Sequence, residues 1–229
     1  MKYSNPSNRL FWKNLGIRCF FVISVMFSHE LTAQELTPLH RAAEANDLAA
    51  VKQLIDQGAQ IEARNKDGVT PLMTAAAHSS TPEIVQLLID NKAQIEARSN
   101  NGLTPLLIAA GLSSTPEIVK LLIDHKAQIE AREPALGMTP LMIAALNSST
   151  PQIVQLLIDN KAQIEARDKD GWTPLFYAAQ SSTPEIVQLL IDNKAEIEAR
   201  DNDGKTPLTV AAGESSTPEI VQLLLDNNA

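Results

Sequence analysis

The chain has 229 residues, 44% of them hydrophobic but only 4% aromatic, so its core must be built from Ala, Leu, Ile and Val, which suits helices packed closely in layers. The formal net charge of −8 becomes −11 when the first 33 residues, with Lys2, Arg9, Lys13, Arg18 and Glu30, are set aside. Such a surface repels phosphate backbones, making nucleic acid a poor partner and a basic protein surface a good one.

Four basic residues precede the apolar run Cys19–Phe27, and the polar stretch after it ends on Thr32-Ala33 before Gln34. This order is that of a secretory signal peptide over residues 1–33, which implies export to the periplasm or outside the cell. Nine apolar residues fall short of the roughly 20 that span a bilayer, so an uncleaved anchor is the weaker alternative. Lipoprotein processing does not fit, because Cys19 opens the apolar run and follows Arg18. Cys19 is also the only cysteine, so residues 34–229 have no disulfide, no thiol nucleophile and no Cys-ligated zinc.

From Thr37 onward the chain is periodic. Thr-Pro-Leu begins at Thr37, Thr70, Thr104, Thr139, Thr173 and Thr206. A second series, Thr-Pro-(Glu/Gln)-Ile-Val, begins at Thr81, Thr115, Thr150, Thr183 and Thr217. A third, Ala-(Gln/Glu)-Ile-Glu-Ala-Arg, begins at Ala59, Ala93, Ala127, Ala162 and Ala195. Threonine is a good N-cap and proline at the next position is pre-set for the first helical turn. Each unit therefore starts two helices; in the second unit they run over Pro71 to about Ala77 and Pro82 to about Asn91. Ile84, Val85, Leu87, Leu88 and Ile89 form too broad an apolar set for one stripe, so the second helix is covered by neighbours on several sides. Asp67-Gly68, Asn101-Gly102, Asp170-Gly171 and Asp203-Gly204 supply tight turns before the next Thr-Pro.

Helix, turn, helix and a turn-bearing arm in about 33 residues resemble the ankyrin repeat. The match is strongest in Thr37-Pro38-Leu39-His40-Arg41-Ala42-Ala43 and Glu185-Ile186-Val187-Gln188-Leu189-Leu190. The resemblance implies an all-α repeat solenoid of six stacked units with β-hairpin-like connections, filling residues 34–229, in which no unit is stable alone. It also implies a scaffold that holds a protein partner.

Several positions depart from the family. Its histidine survives only as His40, replaced by Met73, Leu107, Met142, Phe176 and Thr209. Its glycine after the second helix survives only as Gly58; Lys92, Lys126, Lys161, Lys194 and Asn228 follow. A left-handed lysine costs about 1–2 kcal/mol, so remodelled helix ends are expected there, helped by Asn91, Asn160 or Asn193. The third connection, through Glu133-Pro134-Ala135-Leu136-Gly137, is longer than its neighbours, and the fifth unit lacks one residue at Ala178-Ala179-Gln180-Ser181. The sequence stops after a second helix of internal type whose apolar face, with Val221 and Leu224, carries no polar capping substitution. That end is expected to fray or to be covered by another protein or copy, unless the chain is truncated.

No catalytic or metal-binding constellation emerges. His29, His40, His78 and His125 form no ligand cluster. Asp201-Asn202-Asp203-Gly204 lacks the flanking ligands of a calcium loop, with Ala199 and Val210 where acidic residues belong. No glycine loop cradles a phosphate, and no cofactor is expected. Asn147-Ser148-Ser149 is a formal but short glycosylation pattern.

Two sets of residues could meet a partner. Val69, Leu103, Met138 and Trp172 precede successive Thr-Pro pairs, with Lys205 in the last unit. They form either an exposed apolar stripe anchored by Trp172 or a packed row against neighbouring hairpins. First-helix residues expected on the same concave side include His78, Leu112, Asn147, Gln180 and Glu214, which vary while the frame does not. The ladders Glu62, Glu96, Glu130, Glu165, Glu198 and Arg64, Arg98, Arg132, Arg167, Arg200 read as a solvated, partly self-paired spine rather than a charged groove. The expected function is non-catalytic protein binding. The alternatives are an accessory subunit that supports or protects a periplasmic enzyme, and an effector that engages host proteins.

Overall fold

The structure, a computed structural model, describes residues 36–147, 150–181, 183–215 and 217–228. The expected export signal at 1–33 lies outside the described residues. Among the described residues no helix is long and apolar enough to cross a membrane.

Twelve α-helices and no strand are found among the described residues. The first helices of the six units are α1 (Pro38–Glu44), α3 (Pro71–His78), α5 (Pro105–Leu112), α7 (Pro140–Asn147), α9 (Pro174–Ser181) and α11 (Pro207–Glu214). The second helices are α2 (Leu48–Asp56), α4 (Glu83–Asp90), α6 (Pro116–Asp124), α8 (Pro151–Asp159), α10 (Pro184–Asp192) and α12 (Pro218–Asp226). Each element packs on its counterpart in the next unit, giving two helical layers. The first helices approach each other more closely than the second helices do. Their small residues permit this: Ala75, Ala76, Ala109, Ala144, Ala145, Ala178 and Ala179 are all fully buried. Unequal spacing of the two layers puts the first helices on the inner side of any curvature.

The threonine caps act as expected on the first helices only, and there Thr173 is an exception, its buried Oγ1 making no cap bond. Thr70 Oγ1 accepts from Met73 N–H and Thr104 Oγ1 from Leu107 N–H, while Thr206 and Thr209 cap each other reciprocally. At the second helices Thr115, Thr150 and Thr217 make no such bond, and α4 starts only after Pro82. Thr115 Oγ1 instead donates to Ser79 C=O of the preceding unit. In this connection the threonine hydroxyl ties two units together rather than capping the second helix.

The helix ends are not remodelled around the lysines. Lys92, Lys126, Lys161 and Lys194 take φ of 70, 69, 71 and 72°, the left-handed region the family fills with glycine. The surrounding hydrogen bonds impose this. Lys92 N–H donates to Ile89 C=O and Ala93 N–H to Leu88 C=O, the paired bonds of a Schellman end, and the other three repeat them. Asn91, Asn160 and Asn193 do assist, each donating through Nδ2 to the carbonyl four residues back.

Candidate protein-binding surface

The hairpins between units are each closed by a backbone bond, Asn65 N–H to Val69 C=O, Ser99 to Leu103, Glu133 to Met138, Asp168 to Trp172 and Asp201 to Lys205, and each glycine N–H of the turn donates back to the first residue's carbonyl. These closing residues share a role that the three repeat series do not reveal. Each follows a ladder arginine and accepts backbone N–H groups of its own turn. Asn65 Oδ1 accepts from Asp67 and Val69, Ser99 Oγ from Leu103, and Asp201 Oδ1 from Asp203 and Lys205. In the longer third hairpin the acceptor is Glu133, whose extra methylene carries its carboxylate to the N–H groups of Ala135, Leu136 and Met138. The signal was available as an unbroken run of acceptors, Asn, Ser, Glu, Asp, Asp, directly after arginine.

Asp168 does most. Its Oδ1 accepts from Trp172 N–H at 2.7 Å and Asp170 N–H at 2.9 Å, and its Oδ2 from Tyr177 Oη at 2.6 Å. Trp172 stacks on Phe176 and meets Tyr177 edge-on, and its Nε1 donates to Asp201 Oδ2 of the next hairpin.

This geometry removes the exposed apolar stripe. Leu103, Met138 and Trp172 are buried, at 6%, 0% and 4% exposure, and Val69 is half-buried. Closing the hairpin turns each side chain into the stack, where the neighbouring unit covers it; the packed row is the arrangement adopted. Trp172 is thus a core anchor of the fifth unit. What the tips present to solvent is polar: Lys66, Asn100, Asn101, Lys169, Asn202, Asp203 and Lys205 are exposed. Successive tips are also stitched together, Asn100 N–H to Asp67 C=O and Asn202 N–H to Asp170 C=O. A Cβ on Gly68 would lie 2.4 Å from Asn100 Oδ1, so these tips stack too closely for another residue.

The charged ladders are neither a groove nor self-paired. Glu62, Glu96 and Glu130 accept the N–H of Gln94, Gln128 and Gln163 in the following unit, and Glu165 that of Glu196. Arg64 donates to Gly68 C=O of its own turn and to Arg98 C=O of the next, and Arg98, Arg132 and Arg167 repeat this pair. Both ladders bond backbone groups of the following unit, so they tie successive units together at the surface.

The ends of the first helices are the other candidate surface. His78 is exposed, and Leu112 and Asn147 are half-buried, each the last residue of its helix. Gln180 does not join them. It is buried, and it sits one place earlier, in register with Ala77, Gly111 and Leu146, because the missing residue falls in the connection rather than in the helix. Ser181 ends that helix. At the far end Leu224 is fully buried and Val221 half-buried, while Leu225 is 49% exposed, so the uncovered apolar surface is smaller than expected.

His40 accounts for one distinctive contact. It is fully buried between units; its Nε2–H donates to Val69 C=O at 2.9 Å and its Nδ1 lies 2.8 Å from Thr37 Oγ1. Burial lowers its pKa, and the bond to Val69 only partly opposes this. Among the described residues no group of three or more His, Cys, Asp or Glu could hold a metal ion.

Comparison with known proteins agrees with the geometry. A family model of three ankyrin repeats matches residues 19–99, 39–133, 77–168 and 141–229. No curated protein matches. Among solved structures, the chain is similar to one in a predatory endopeptidase from Bdellovibrio bacteriovorus in complex with an immunity protein. That chain is 30% identical with a TM-score of 0.72, and the match covers 85% of this chain and 100% of that one. The chain belongs to the ankyrin repeat family.

Proposed function

We propose that this protein binds one particular protein partner, without catalysing a reaction itself, through the ends of its first helices and the polar hairpin tips. The observation that carries the reading is variation on a fixed frame. Positions that hold the units together repeat almost unchanged, while the helix-end position passes through His78, Leu112 and Asn147 on the solvent side of the same layer. A repeat scaffold reads a partner through such positions, and the acidic charge favours a partner with a basic face. The test is purification of the tagged chain from its native cell. A protein captured by the wild type should be lost from His78→Ala/Leu112→Ala/Asn147→Ala at unchanged thermal stability. Retention of the same protein at the same yield would sink the assignment.

A second reading makes that partner an enzyme of the exported compartment, which the scaffold holds or protects. It is supported by the similar chain in the endopeptidase–immunity protein complex and by the signal-like order of residues 1–33. N-terminal sequencing of the cell-envelope form should begin at Gln34. A captured partner whose hydrolytic activity does not change on adding the scaffold would argue against it.

A further inference from the structure

A groove of about 590 Å³ opens on the second-helix layer between α2, α4 and α6, on the layer opposite the first-helix ends. Its apolar lining is Leu48, Pro82, Leu87 and Leu121. Leu48 is 42% exposed, although it stands where later units place the proline that opens the second helix. Leu87 and Leu121 are half-buried. The same leucine recurs as Leu156, Leu189 and Leu223, where neighbouring second helices pack somewhat more closely than α2, α4 and α6 do. Entry into the helices differs as well. Asp47, not a Thr-Pro pair, caps α2 after a three-residue turn, and α4 begins one residue late behind Pro82. These irregular entries are confined to α2 and α4, although the surface sequence is nearly periodic.

The charges at the groove are unbalanced. Glu83, Asp90, Glu117 and Asp124 line it against Lys52 and Lys120, and Lys120 is already held by Asp124 at 2.6 Å. From this geometry we infer that the groove receives an amphipathic helix of a partner protein, with aliphatic side chains on one face and Lys or Arg on its flanks. The spacing fits. Neighbouring second helices lie roughly 8–10 Å apart, and two turns of helix advance about 10.5 Å, so residues at i and i+7 meet the equivalent Leu121 and Leu87, and a third at i+14 reaches α2, where Leu48 stands five residues nearer the helix start. Basic flanks then face the carboxylates. This surface is separate from the first-helix ends, so either can fail without the other.

The probe is a synthetic helical peptide of about 18 residues, long enough for three leucines at a seven-residue interval with lysines on the flanks. A second peptide of the same composition has its leucines scattered round the helix. Titration into the methyl-labelled full chain should shift Leu48, Leu87 and Leu121 and leave Leu156 and Leu189 in place. The ordered peptide should bind at least about ten-fold more tightly than the scattered one. Leu48→Lys with Leu121→Lys should abolish that difference. Because both side chains are partly exposed, the double variant should keep its fold, and Glu117→Lys, wholly on the surface, should weaken the ordered peptide independently. Equal binding of the two peptides, equal shifts at Leu156 and Leu189, no binding, or an unaltered preference in the variants would each overturn the inference.

Discussion

Replacing Lys92, Lys126, Lys161 and Lys194 together, once by glycine and once by alanine, measures what the left-handed helix ends cost. Both sets remove the same four exposed charges, so any dipole contribution of the lysines cancels in the comparison. What differs is the Cβ at φ of 69–72°. A side chain in that region costs about 1–2 kcal/mol, whereas glycine returns roughly 0.5–1 kcal/mol through the freedom of its unfolded chain. Glycine should therefore exceed alanine by about 0.5–1 kcal/mol per site. The sites lie a full unit apart and should add, giving about 2–4 kcal/mol for four. For a chain of this size that is roughly 5–15 °C in Tm. Urea titrations followed by circular dichroism, with m-values checked for constancy, would read it. If the two sets melt together, the helix ends in solution are not left-handed at these residues and the reasoning is wrong.

Asp168→Ala strands Tyr177 Oη and Trp172 N–H in a buried site, so it should cost about 2–4 kcal/mol and weaken the near-ultraviolet signal of the fifth unit. Glu133→Asp shortens the reach to three N–H groups and should cost about 1 kcal/mol, visible as a lower urea midpoint. Arg98→Ala removes two bonds to backbone carbonyls. Since no carboxylate is their partner, its penalty should persist at about 1 M salt, where the Debye length is about 3 Å; a penalty that vanishes there would restore the ion-pair reading. His40 has a folded pKa lowered from its ordinary value of 6.5, so the unfolded chain binds the proton more readily. Its contribution is complete above that value and is lost as pH falls through the folded pKa. Urea midpoints of the wild type and His40→Leu should converge below the ordinary value. Glu83 is also lowered, by Thr81 and its own N–H, and acts in the same sense below 4.5.

Much of the architecture was legible because a repeat states each instruction several times. Thr-Pro pairs located the helix starts to within a residue, with α4 the one late start, and Asp-Gly and Asn-Gly located most of the turns. Which way a side chain faces was not legible. Val69, Leu103, Met138 and Trp172 look like a stripe in the sequence, but closing the hairpin turns them into the stack, and only the neighbouring unit makes them core. The ladders misled for a related reason: Glu62 and Arg64 find partners 32 and 34 residues away, on backbone groups that have no letter in the sequence. The lysines are the clearest case of tertiary override, since the Schellman bonds around Ala93, Ala127, Ala162 and Ala195 hold a conformation that the residue itself disfavours. The sequence by itself determined the period, the helices and the membership of the family. Only the stacking decided which apolar residues are buried, what the charged ladders bind and where the outer layer opens into a groove, because each depends on the distance between units.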